Sequence, residues 1–352
     1  MSLRDALMRR IAQTGPISIA DYMAECLFHP TLGYYTTREP FGRSGDFITA
    51  PETTQIFGEL MGLCLAQAWI DQGQPAPFTF ADLGPGRGTL MADMLRATRA
   101  VPGFLDAAQV VLVEASSRLR DIQKQTLDGT DVVFAEHVDA LPNQPVFATA
   151  NEFFDALPIR QFLRTETGWR ERQVGLAEDA LAFGLAAEAP QPALAARFDY
   201  TRAGDMVEVC DVAGTIAYSI GEKIANEGGA ALIIDYGDWH SLGDTLQAVK
   251  EHAHVDPLEE PGTADLTAHV DFEALAQAAP CAHTRLTTQG VFLERLGFTP
   301  RAQKLANGLT GDALEELANA HRRLTHPAQM GNLFKVLGLF PNGKPPPPGL
   351  DV

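Results

Sequence analysis

The stretch Thr79-Phe80-Ala81-Asp82-Leu83-Gly84-Pro85-Gly86-Arg87-Gly88-Thr89-Leu90 decides the fold. Thr79 to Leu83 is nearly continuous in apolar character, as a strand covered on both faces must be. Three alternate glycines follow, and from Thr89 to Arg99 the residues Leu90, Met94 and Leu95 fall on one face of a helix. Strand, glycine turn and helix in this order are the first half of a doubly wound sheet.

The same pattern continues outward. Short β-rich runs at Val110 to Glu114, Val132 to Ala135, Val146 to Ala150 and Ala230 to Asp235 predict further parallel strands joined by crossover helices. Ahead of the first strand, a helix is expected from Ser18 to Glu25, a turn at His29-Pro30, a loop from Phe41 to Pro51 and an apolar helix from Gln55 to Trp69. Between the fourth and fifth strands, Gln161 to Leu185 alternates like an antiparallel meander, Ala187 to Ala196 is expected as a surface connection, and Gly214 to Asn226 as a helix. Later, Ala268 to Ala279 is expected as helix, Thr284 to Thr288 as strand, Val291 to Leu296 as helix and Leu333 to Leu339 as the last strand. The division expected is an N-terminal helical cap at 1–75, a sheet domain at 76–340 with an insertion at about 160–226, and a loose proline-rich tail at 341–352.

The 352 residues, 45% of them hydrophobic, suffice for one large α/β core with additions. A formal net charge of −18 disfavours nucleic acid, which is bound through clustered Lys and Arg that displace counterions. The four cysteines, Cys26, Cys64, Cys210 and Cys281, form no C-x-x-C pair, so they are expected as reduced core residues, and no His spacing suggests a metal. No secretory signal or membrane-spanning run is seen, which points to the cytoplasm; Arg4, Arg9 and Arg10 give a weaker hint of an organelle presequence and a mitochondrial matrix location. The oligomeric state is left open, a homodimer included.

Glycines at 84, 86 and 88 let the backbone approach a ligand, but their G-x-G-x-G spacing is not the G-x-G-x-x-G of a dinucleotide site. Asp82 discriminates further: a carboxylate ahead of the first glycine suits the ammonium of a methionine moiety and would repel a pyrophosphate. Glu114, ending the second strand, is placed to accept both hydroxyls of a ribose. Each acid alone could be a helix cap or a solvated strand end. Together with the glycines they favour S-adenosylmethionine over NAD.

The runs Gly45-Asp46-Phe47-Ile48-Thr49-Ala50-Pro51-Glu52 and Phe57-Gly58-Glu59-Leu60 resemble the signature of the MidA family of class I S-adenosylmethionine-dependent methyltransferases. His29-Pro30 with Gly33-Tyr34-Tyr35, Asn151 to Pro158, Asp235-Tyr236-Gly237, Gly262 to Phe272 and Met330 to Leu337 match in the family's order. The resemblance implies an N-terminal helical cap on a class I fold and a cofactor pocket closed partly by the loop from Gly45 to Glu52. Thr49 and Pro51 would then line the methionine end. Mitochondrial members are protein arginine methyltransferases that assist assembly of respiratory complex I, so a protein substrate is implied, although the substrate of this chain is not fixed by it. Asp82 stands where Glu is commoner, a carboxylate shorter by one methylene.

Methyl transfer is an in-line displacement, and an enzyme mainly aligns the nucleophile and excludes water. The fourth strand runs into Asn151-Glu152-Phe153-Phe154-Asp155 at the end of the sheet where ligands bind. Asn151 is assigned to the cofactor. Glu152 and Asp155 are candidates to clamp a guanidinium by paired carboxylates. They could instead cap a helix beginning near Ala156-Leu157-Pro158, and Phe153 and Phe154 could line the substrate or fill core. Asp46 is a candidate to touch the cofactor or act as base, or else a turn aspartate. Glu136 and His137 follow the third strand, where adenine is usually contacted; a lone His there can equally be structural. The pair Asp235-Tyr236 ends the fifth strand beside the site and could meet the substrate, or Tyr236 could bond locally.

The function expected is thus methylation of protein arginine. Alternatives are a small-molecule O-, N- or C-methyltransferase, an assembly factor that holds the cofactor without essential catalysis, or a dehydrogenase.

Overall fold

The computed structural model describes residues 2–37 and 49–352. These pack as two units, one of residues 2–37, 155–213 and 240–271, the other of residues 49–154, 214–239 and 272–352.

The second unit carries the central sheet. Its strands are β1 (Phe78–Leu83), β2 (Ala108–Val113), β3 (Val132–Ala135), β4 (Val146–Asn151), β5 (Gly229–Asp238), β6 (Ala282–His283) and β7 (Phe334–Phe340). They lie in the order β3-β2-β1-β4-β5-β7-β6. β1 to β5 are mutually parallel, while β7 runs antiparallel to β5. Every residue of β1 and β4 is buried, which is why both runs lack polar alternation. The strand order reverses between β1 and its neighbours β2 and β4, so the crevice at their carboxyl ends is where a ligand is expected.

Helices α1 (Gln55–Asp71) and α2 (Thr89–Thr98) pack closely on each other, and α3 (Ser117–Thr126) follows β2. A Cβ on Gly58 would sit 2.5 Å from Cβ of Asp93, and one on Gly62 would sit 2.8 Å from Cα of Met94, so glycine at both positions sets the α1–α2 approach. Glu59, beside Gly58, accepts from Arg301 Nε at 2.7 Å and from Arg96 Nη2 at 3.2 Å. Burial pulls its carboxyl up, but the two guanidinium groups prevail and hold it below its ordinary range. Trp69, Phe78, Phe104 and Phe147 fill the core beneath, with edge contacts such as Trp69 on Phe104 at 5.3 Å.

The first unit opens with the helix Leu3–Thr14, capped by a reciprocal Ser2–Asp5 box, and the helix Ile19–Phe28, whose cap Ser18 accepts from Asp21 N. Their buried faces, Leu7, Ile11, Tyr22 and Met23, share a core with Val174 and Leu181. The expected meander is present as Arg160–Arg164, Trp169–Ala177 and Ala180–Leu185, extended by Met206–Val209 and by Ile17–Ser18.

Several expectations need correction. The 49–75 segment, expected with the cap, includes α1, which packs on α2 in the sheet unit. Ala187 to Ala196 is not a plain connection, because the 3-10 helix Pro192–Tyr200 buries Leu194 with Phe162, Trp169 and Val207. Ala268 to Ala279 is not helical throughout: the short strand Val270–Asp271 precedes the helix Phe272–Ala278. The strand expected at Thr284 to Thr288 is present only as the short strand Thr287–Thr288; β6 ends at His283, and the buried Thr284 accepts from Gly338 N of β7 on Oγ1 at 2.9 Å. The C-terminal segment is not loose: Leu350 is buried, Pro348 O accepts from Cys64 Sγ, and Arg295 donates to Gly349 O at 3.1 Å.

Candidate functional site

The glycine turn is built as its spacing requires. Gly84, Gly86 and Gly88 have φ of 62°, 53° and 84°, all in the left-handed region that other residues avoid. At Gly84 a side chain is excluded for a second reason: a Cβ there would lie 2.7 Å from Cδ2 of Phe153. Phe153 therefore rests on the turn, while Phe154 is buried and meets it edge-on at 5.2 Å.

Asp82 and Asn151 stand at the ends of β1 and β4, on either side of the strand-order reversal. Asp82 Oδ1 accepts from Thr149 Oγ1 at 2.8 Å, whereas Oδ2 is buried without a donor. Burial raises the Asp82 carboxyl to about 7, against the smaller lowering by Thr149. Asn151 donates from Nδ2 to Glu152 Oε1 at 3.1 Å and its Oδ1 is likewise buried without a donor. Two buried acceptors beside a glycine turn ask for a donor, preferably a cation. The ammonium of a methionine moiety fits them; a pyrophosphate does not.

Glu114, just past β2, is held rather than free in solvent. Its Oε1 accepts from Ser116 N at 2.7 Å and its Oε2 from Gln123 Nε2 at 3.2 Å. Burial pushes this carboxyl above its ordinary value, opposed by those bonds. Glu136 and His137 behave differently: both are exposed, and the Glu136 carboxylate lies 3.7 Å from Arg120 Nη2.

Glu152 is the exceptional backbone position of the site. Its φ of 52° is left-handed, which costs a non-glycine residue roughly 1–2 kcal/mol. The conformation is held from β5, where Ile234 O accepts from Glu152 N at 2.9 Å and the fully buried Asp235 accepts Phe154 N at 3.0 Å on Oδ2 and Tyr236 N at 3.0 Å on Oδ1. Glu152 Oε1 in turn accepts from Ala50 N at 3.1 Å, in the first turn of the short helix Ala50–Thr53. Burial raises the Glu152 carboxyl, while the bonds from Ala50 and Asn151 act the other way. Thr49 is the N-cap of that helix and Pro51 is buried in it; Glu52 accepts from Thr89 Oγ1 at 2.6 Å, tying the turn to α2.

Asp155 belongs to the other unit. It is buried, its carbonyl accepts from Ala268 N at 3.0 Å, and its charge acts on Tyr35, whose hydroxyl donates to Asp265 at 3.0 Å. No helix begins at Ala156, because the chain runs on into Arg160–Arg164, so the capping alternative for Glu152 and Asp155 does not apply. Asp46 lies outside the described residues, as do Gly45, Phe47 and Ile48 of the same motif.

Two contributors escaped the sequence. Thr149 and Gln123 carry no motif, and their partners lie 67 and 37 residues away in the chain. Asp235 stood in a noted motif, but its bonds to Phe154 and Tyr236 amides could not be foreseen from spacing. Other motif residues prove architectural: His29 Nδ1 accepts from Leu32 N at 3.2 Å, and Asp271 pairs with Arg197. Among the described residues, no helix is long and apolar enough to cross a membrane, and no group of three or more His, Cys, Asp or Glu could hold a metal ion.

A parallel sheet of this order, with a glycine turn after β1 and an acid after β2, defines the class I methyltransferases. Residues 60–291 match the family model described as "Putative S-adenosyl-L-methionine-dependent methyltransferase", and the chain belongs to this family. It is 36% identical over 366 residues to human protein arginine methyltransferase NDUFAF7, mitochondrial, covering 96% of this chain and 82% of the relative. The Drosophila melanogaster homolog of that protein is 34% identical, covering 97% of this chain and 85% of the relative. A Burkholderia thailandensis protein solved with S-adenosyl-homocysteine bound superposes with a TM-score of 0.85 at 30% identity, covering 99% of this chain and 93% of that one. The protein is an S-adenosylmethionine-dependent methyltransferase.

Proposed function

We propose that this methyltransferase acts on arginine side chains of a protein, with Glu152 as the residue that orients and deprotonates the acceptor. The observation that carries this is Glu152 itself, a half-buried residue held in a strained backbone conformation just past β4, next to Asn151 and near the glycine turn's Asp82 in the same sheet. Strain of this kind persists where surrounding structure enforces it, and it clusters at working sites. The names of the relatives supply the arginine.

S-adenosylmethionine supplies an electrophilic methyl carbon. Asp82 and Asn151 would hold its ammonium, Glu114 would take the ribose hydroxyls, and the glycine turn would let the backbone come close to it. Both hydrogen bonds recorded for Glu152 use Oε1. Oε2 then accepts from an Nη–H of the guanidinium, which concentrates the lone pair of that nitrogen for attack. On methyl transfer the acceptor nitrogen would give up one proton, and Glu152 Oε2 would take it. The upward shift of this carboxyl by burial suits it to receive a proton. Asp155 as second clamp carboxylate, Asp46 as cofactor contact or base, and Glu136 and His137 as adenine contacts stand as proposals read from the sequence.

The protein partner is inferred to be a subunit of respiratory complex I, following the family resemblance. The cytoplasmic location read from the sequence suits a bacterial chain, whereas the relatives' names say mitochondrial. Incubation of the purified protein with methyl-labelled S-adenosylmethionine and a lysate, followed by hydrolysis and amino-acid analysis, tests the assignment. Label in methylarginine is expected. Label confined to small metabolites would replace it with a small-molecule methyltransferase.

A further inference from the structure

Gln123 lies on α3, fully buried, and donates both amide hydrogens to the cofactor site: Nε2 reaches Gly86 O at 2.8 Å and Glu114 Oε2 at 3.2 Å. One is the carbonyl of the glycine turn after β1. The other is the acid after β2. A single side chain thus bridges the backbone of the glycine turn and the carboxylate that follows β2.

The amide orientation is dictated by its partners. Gly86 O is an acceptor in any protonation state, so the NH2 group must face it, and rotation would bring two acceptors together. Oε1 is left buried with no donor, so its desolvation is uncompensated. That cost is borne where the two donated bonds matter. Glu cannot replace Gln123 here, because a carboxylate would oppose both acceptors, and an apolar residue would leave the Gly86 carbonyl and one oxygen of Glu114 unsatisfied.

Glu114 has a backbone amide on Oε1 and Gln123 on Oε2, so its plane is fixed before any ligand arrives. We infer that Gln123 is a positioning residue that presets Glu114 for the cofactor ribose and fixes the glycine turn at the matching height. This rests on the assignment of Glu114 to the ribose. Preorganisation of this sort raises affinity by removing the ordering cost at binding. It also predicts where the gain is felt: in the discrimination between a ribose and a deoxyribose, and less in the ammonium contacts made at Asp82.

The test is calorimetric titration of S-adenosylhomocysteine and its 2′-deoxyribosyl analogue into the wild-type protein, Gln123→Met and Gln123→Glu. The wild type should prefer the ribosyl ligand by tenfold or more. In Gln123→Met the affinity for S-adenosylhomocysteine should fall about tenfold while that for the deoxy analogue changes less, so the preference collapses to within about threefold. Gln123→Glu keeps the volume and should lose the preference in the same way if Gln123→Met folds poorly. A preference that survives in a folded variant would overturn the role of Gln123 alone. A wild type with no preference would overturn the ribose assignment of Glu114, and the positioning role with it.

Discussion

Thr149 donates its hydroxyl to Asp82 Oδ1 across the β1–β4 pair at 2.8 Å, and the other carboxylate oxygen is buried with nothing donating to it. A half-satisfied carboxylate at a strand-order reversal is costly without a ligand and well suited to a cationic one.

The consequence is a pH dependence whose sign can be worked out. Burial raises Asp82 to about 7 in the folded protein, above its unfolded value of about 3.9. The folded protein therefore binds the extra proton between those values, and stability without ligand falls as pH rises from about 4 toward 7. The cationic ligand needs the ionised form. Affinity for S-adenosylhomocysteine should rise as pH goes from 6 to 8, by at most about tenfold per unit, then level off. Asp82→Asn should bind weakly at every pH, flatten the profile and raise the melting temperature of the ligand-free protein at pH 7. Titrations across this range, with thermal melts, check all three outcomes.

Gly84 and Gly88 should respond differently to alanine. Both have positive φ, and left-handed backbone costs a non-glycine residue roughly 1–2 kcal/mol. At Gly88 the nearest atoms to a Cβ are 3.6 Å away, so that cost is the whole effect. At Gly84 the ring of Phe153 stands at 2.7 Å and must move. Gly84→Ala is expected to lose cofactor affinity by more than tenfold, and Gly88→Ala by severalfold at most. Gly84→Ala combined with Phe153→Ala should recover part of the loss, measured by the same titration.

Glu152→Gln preserves the acceptor for Ala50 N and Asn151 Nδ2 while removing the charge. S-adenosylhomocysteine affinity should stay within about threefold of wild type, and kcat for the arginine acceptor should fall by about two to three orders of magnitude. Unchanged kcat would remove Glu152 from the reacting end.

Glu59 tests the frame behind the site. Its carboxylate joins Arg301 and Arg96 from two helices, and it is nearly buried. Glu59→Gln should destabilise by about 1 kcal/mol, because the part-exposed Arg301 loses its carboxylate partner while Arg96 keeps Asp93 at 2.6 Å. The depressed carboxyl contributes stability above the usual Glu range, and that contribution is lost as pH falls through its lowered value. Denaturant melts at pH 7 and pH 3 should show the wild type and Glu59→Gln converging at the lower pH.

The sequence revealed what local chemistry encodes. β1, the glycine turn and α2 were legible because a buried strand is apolar throughout and a ligand-binding turn needs positive φ at fixed positions. Asp82 and Glu114 followed from their places at strand ends. Thr149 and Gln123 were not legible as parts of the site, nor was the bond from Phe154 N to Asp235, because each joins partners far apart along the chain. The helices Phe298–Ala306 and Asp312–Thr325 were passed over for a related reason: they carry no cofactor motif, and their place is set by contacts such as Arg301 with Glu59. The proline-rich end looked loose because its composition is that of a tail. Docking of Leu350 into a waiting core is a tertiary fact.

The central claim, that the cofactor lies across the ends of β1 and β4 with its methyl directed at Glu152, is tested most directly by a crystal structure with S-adenosylhomocysteine bound. The account predicts the ligand ammonium within hydrogen-bond distance of Asp82 Oδ2 or Asn151 Oδ1, the ribose hydroxyls on Glu114, and the sulfur facing the carboxylate of Glu152. A ligand whose ammonium is held elsewhere, or whose sulfur faces away from Glu152, would contradict it.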